Sequence, residues 1–103
     1  MQKEFIFRGK KYTLEITSAL ETEGDFQKYP AVFREEGLTR RGFFRLPCTA
    51  VEALNRRVTA GEGAFEEMLV AGCAEAASAE LYIRSPAEGF NFVVDHRFFE
   101  AKR

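Results

Sequence analysis

The chain has no tryptophan, one histidine, two cysteines and three prolines among its 103 residues. Each scarcity closes off a class of chemistry. With a single histidine and two cysteines 25 positions apart, tetrahedral zinc would need carboxylates to complete its ligands, against the Cys- and His-rich habit of structural zinc sites. No metal is expected. No apolar run approaches the length of a membrane span. Lys3, Glu4 and Arg8 interrupt the apolar residues Phe5 to Phe7, unlike the core of a signal peptide, so the expectation is a cytoplasmic protein with reduced cysteines and no membrane partner. The one Gly-x-Gly, Gly61-Glu62-Gly63, lies between two expected helices, whereas a phosphate loop joins a strand to a helix. It reads as an interhelical turn, and no cofactor is expected. No internal repeat or linker divides the chain, so residues 1–103 are expected to form one domain.

What the sequence does contain is apolar and aromatic bulk. Hydrophobic residues make up 46% and charged residues 30%, too apolar a balance for disorder. A chain of this length buries roughly two thirds of its unfolded surface. Eleven phenylalanines carry no polar handle, so most belong in a core, and any surplus left on the surface would mark an interaction patch.

Net charge is −1, leaving no overall field to recruit nucleic acid or an anionic membrane, but the halves differ. Residues 1–58 hold 11 Lys and Arg against 8 Asp and Glu, and residues 59–103 hold 4 against 8. The basic surplus concentrates at Arg40, Arg41, Arg45, Arg56 and Arg57, opposed in that stretch only by Glu52.

Periodicity sets the class. Phe5 and Phe7, then Tyr12, Leu14 and Ile16, alternate with polar residues across Gly9-Lys10, which predicts a hairpin with a type II′ turn. Residues 18–29 read as a polar loop, acidic at Glu21, Glu23 and Asp25. Ala31 to Arg34 and Gly42 to Leu46 form a second expected pair, turning at Glu36-Gly37. Pro30 opens the first of these strands and Pro47 ends the second. Thr49 and Glu52 have the spacing of a capping box, so a helix is expected there, with Val51, Leu54 and Val58 on its buried face and Gly61 as its left-handed end. Phe65, Met68, Leu69, Gly72, Cys73, Ala76 and Ala77 recur at helical spacing, predicting a second helix from about Ala64 to Ser78. Leu81 and Ile83, then Phe90, Phe92 and Val94, alternate as a closing hairpin. The expected fold is α+β: an antiparallel sheet of about six strands in the order ββββααββ, with two helices packed on one face. Ile6, Val93 and Phe43 or Phe44 would then show on the other.

Three candidates carry chemistry. Arg41-Gly42-Phe43-Phe44-Arg45-Leu46 resembles in part the basic, glycine and aromatic strand of RNA-recognition motifs. Phe44 stands where that motif has Gly or Ala, and no helix precedes the strand, so the family is not claimed. An exposed Phe43 or Phe44 would still stack bases while Arg40, Arg41, Arg45, Arg56 and Arg57 contact phosphates. Cys48, just ahead of a helix and near Arg45, has the setting of a stabilised thiolate. Asp95-His96 is the one dyad-like pair, but neighbouring strand residues face opposite ways, so Asp95 would not orient the His96 ring. No catalytic constellation emerges. The leading expectation is a small non-enzymatic protein-interaction or accessory module, with a homodimer among its expected forms, that uses an open sheet face or edge. The alternatives are single-stranded nucleic-acid binding through the Arg/Phe strand and adjacent helix, and a small thiol- or His-dependent enzyme.

Overall fold

The computed structural model describes residues 1–17 and 20–100. Its elements run β1 (Gln2–Phe7), β2 (Lys10–Ile16), β3 (Glu21–Glu23), β4 (Phe26–Glu35), β5 (Leu38–Pro47), α1 (Cys48–Thr59), α2 (Phe65–Leu81) and β6 (Phe90–Val93), followed by a 3-10 turn, His96–Phe99. The class is α+β, with a six-stranded mixed sheet ordered β1-β2-β4-β5-β6. The short β3 pairs with β4 beyond the end of β2.

The sheet is antiparallel except at β5–β6, which run parallel. The expected closing hairpin does not form. Leu81 continues the buried stripe of α2 through Cys73 and Ala77, so Leu81 to Arg84 is the end of a helix and a turn, not a strand. Parallel neighbours need a long crossover, and the two helices with the return segment 82–89 supply it. That segment is pinned to the start of β5: the Gly89 amide donates to the Arg41 carbonyl at 2.7 Å, and Arg40 Nε donates to the Pro86 carbonyl at 3.0 Å.

Other local expectations are corrected by specific contacts. The first turn is Arg8-Gly9, with φ of 52° and 78°, closed by Phe7 opposite Lys10. Two positive φ values make it type I′ rather than II′. Glu21 to Glu23 is a strand rather than loop, with its turn at Gly24-Asp25; Ser18 and Ala19, also in the expected loop, lie outside the described residues. Pro30 sits mid-strand. Its carbonyl accepts from the Thr17 amide at 3.1 Å, so its missing N–H faces the gap where β2 ends and β3 has not begun. The Thr49 capping box is not made, because the N-cap is Pro47, two residues earlier, and no side chain caps α1. The buried stripe of α1 is Ala50, Ala53 and Leu54, with Val51 and Val58 at its half-buried margins. Gly61, with φ of 77°, does end α1. Its amide donates to Val58 and that of Glu62 to Arg57, a Schellman pair.

Both helices pack on one face of the sheet, enclosing Tyr12, Leu14, Ile16, Phe33, Phe44, Leu46, Leu54, Leu69 and Cys73. Two close approaches hold the far end. Gly42 lies under the carbonyl and ring of Phe90, and Gly72 lies under the ring of Phe99, with no room at either position for a Cβ. Phe99 is thus a wedge from the 3-10 turn into α2. Gly72→Ala should lower stability by about 1–3 kcal/mol, the usual cost of overpacking, despite the higher helix propensity of alanine. Adding Phe99→Leu should cost less than the sum of the two single losses, as urea unfolding of the four proteins would show.

Candidate functional site

Alternation along β4 and β5 decides what the uncovered sheet face displays. Tyr29, Ala31, Phe33, Phe44 and Leu46 point to the helices, so Phe26, Lys28, Pro30, Val32 and Arg34, and across from them Thr39, Arg41, Phe43, Arg45 and Pro47, point away. Nine of the eleven phenylalanines lie in the core or pack against it; the other two, Phe26 and Phe43, are both on this outer face. They are interleaved with cations. Lys28 Nζ stands 4.2 Å from the Phe43 ring centre, and the Arg45 guanidinium 4.3 Å from that of Phe26. Pro30 lies directly opposite Phe43, while on β6 Asn91 faces Phe43 and Val93 faces Arg45, so the apolar strip is confined to β4 and β5. A shallow depression lined by Pro30, Val32, Arg41, Phe43 and Glu88 continues it.

The charge on this face is largely self-compensated. Glu4 meets Lys11 at 3.4 Å, Glu15 meets Arg34 at 3.0 Å, and Glu23 meets Lys28 at 3.4 Å. Arg41 and Arg45 form no ion pair among the described residues, and Arg45 Nε is buried without a hydrogen-bond partner.

The seven residues expected to bind nucleic acid are not brought together. Arg41, Phe43 and Arg45 share the outer face. Phe44 is fully buried, 5.7 Å from Phe90 and 6.0 Å from Phe92 between ring centres, so it cannot stack a base. Arg40 faces the helix side and is committed to Pro86. Arg56 and Arg57 belong to α1, on the far side of the sheet, where Arg57 donates to the Phe99 carbonyl and meets Glu62. Conversely, Phe26, Lys28, Pro30 and Val32 join the face unforeseen. A two-residue period carried back from Arg34 to Phe26 would have found them.

The enzymatic candidates are separated as well. Cys48 is exposed at the first turn of α1, and Cys73 is a free thiol buried in α2. Asp95 caps the 3-10 turn, accepting from the Arg97 amide at 2.9 Å, and pairs with the Arg97 side chain, which lowers its pKa. His96 instead lies 3.4 Å from Glu100. Among the described residues no cluster of three or more His, Cys, Asp and Glu side chains is placed to hold a metal ion, and no helix is long and apolar enough to cross a membrane.

No family model, curated protein or solved structure matches this chain. Burial pushes the Cys73 thiol well above its ordinary pKa, which suppresses its thiolate. Ellman titration of the native protein at neutral pH should therefore count one rapidly reacting thiol, Cys48, and a second only after denaturation.

Proposed function

We propose that this protein is a non-enzymatic protein-interaction module whose contact surface is the outer face of the sheet around Phe43. The observation that carries the reading is that Phe26 and Phe43, the only phenylalanines outside the core, both lie on the one sheet face that no helix covers. Both are half-buried, and it is their placement together on one uncovered face, with Pro30 and Val32, that marks a candidate contact patch. The size fits. The five strands β1, β2, β4, β5 and β6, at about 4.8 Å spacing and averaging roughly seven residues, present on the order of 600 Å², close to the ~800 Å² that each partner contributes to a standard interface. The chemistry fits too, because an aromatic and aliphatic centre with a rim of mixed charges is the composition of a protein interface.

A second reading is favoured by one feature. The Arg41 and Arg45 side chains make no ion pair among the described residues and flank Phe43, an arrangement that suits a single-stranded nucleic acid, but the Glu88 carboxylate sits beside them, accepting from the Arg41 amide at 3.0 Å. The three ion pairs on the same face weigh against it, since phosphates would meet Glu15, Glu23 and Glu4 as well as the cations.

The test compares the wild type with a Val32→Glu, Phe43→Ala double variant whose urea midpoint is unchanged. Immobilised wild type should retain a discrete protein from a lysate of its source, and the isolated partner should bind the variant at least tenfold more weakly, about 1.4 kcal/mol. Tight binding to random-sequence single-stranded RNA or DNA that collapses with added salt would overturn this reading in favour of the second.

A further inference from the structure

The most exposed large hydrophobic side chains among the described residues are Ile83 at 78%, Ile6 at 75% and Tyr82 at 68%. Ile6 and Tyr82 lie at the β1 edge of the sheet. Tyr82 meets the Phe7 ring edge-on at 4.8 Å on the helix side of β1, Ile83 follows it in the chain, and Ile6 projects from the opposite side of the same strand. Between them runs unpaired backbone. Met1 and Ile16 exchange both main-chain hydrogen bonds, at 3.1 and 2.8 Å, and Phe7 closes the turn opposite Lys10. In an antiparallel ladder alternate residues bond to the same neighbour. Met1, Lys3, Phe5 and Phe7 therefore bond to β2, and Gln2, Glu4 and Ile6 direct their N–H and C=O groups outward.

The other edges are less suited to pairing. The three residues of β3 include Glu21 and Glu23, and β6 has four residues against the six of β1. Exposed edges are normally blunted by such shortness and charge. On β1 the one outward-bonding charged residue, Glu4, is matched by Lys11.

We propose that a second copy of this chain docks here, β1 against β1 in antiparallel pairing about a two-fold axis at Phe5, joining two sheets into one of twelve strands. The register follows from charge. A two-fold axis normal to the sheet pairs residues of the same face, so it must pass through a residue position. An axis at Lys3 sets Lys3 opposite Lys3, and one at Glu4 sets Glu4 opposite Glu4, both destabilising. An axis at Ile6 would need Arg8 to extend the strand, but its φ of 52° places it in the turn. The axis at Phe5 alone avoids all three faults. It pairs Glu4 with Ile6 of the second copy, Phe5 with Phe5, and Lys3 with Phe7, whose ring already meets Tyr82.

Ile6→Glu is the discriminating variant. Within one chain position 6 lies opposite Lys11, so a glutamate there should not weaken folding; in the dimer it would lie opposite Glu4. Sedimentation equilibrium up to millimolar protein should give twice the chain mass for the wild type. The Ile6→Glu protein, with an unchanged urea midpoint, should show a dimer dissociation constant raised at least tenfold. The Glu4 and Ile6 amides should exchange with deuterium more slowly as wild-type concentration rises. A wild-type monomer throughout, a dimer that Ile6→Glu leaves intact, or exchange at those amides independent of concentration would overturn the proposal. None of these outcomes involves Phe43 or Val32, so the fate of the outer-face reading is decided separately.

Discussion

The architecture rests on one close approach, the Phe90 backbone and ring over Gly42. That contact allows β6 to lie parallel beside β5 in the register that sets Phe92 opposite Phe44. Phe90 and Phe92 then stack at 5.2 Å and close one end of the core against Phe44. Once β6 is fixed there, both helices must sit on the same side of the sheet, because the crossover that delivers a parallel strand has to pass over one face. The other face stays bare as a consequence.

Much of this was legible in the sequence, and what was not has physical causes. The first hairpin, both helices, the Gly61 stop and the exposure of Ile6 and Val93 followed from periodicity and glycine placement. Some failures are local, and others were decided by a partner distant in the chain. Leu81 and Ile83 alternate as a strand would, yet Leu81 answers to Ala77 one helical turn earlier. Pro30 looks like a strand boundary until the local gap in its neighbour is known. Phe43 and Phe44 are indistinguishable by composition, and only the strand's orientation toward the helices sends Phe44 inward and Phe43 outward.

The arginines show the same limit at the level of the site. In sequence, Arg40 to Arg57 is one basic segment; in space the sheet divides it. Arg41 and Arg45 look outward, Arg40 ties the return segment to β5, and Arg57 fastens α1 to the 3-10 turn. Two of the five thus serve the fold. On the outer face Arg45 and Lys28 sit over the rings of Phe26 and Phe43 and keep that apolar surface partly covered in water.

The Gly42–Phe90 contact also closes an edge. Without β6, the ten residues of β5 would form an unpaired edge with an unfilled glycine notch along it, and the sheet would end in long open strands on both sides. Phe90 is therefore the residue that leaves β1 as the longer of the two terminal edges.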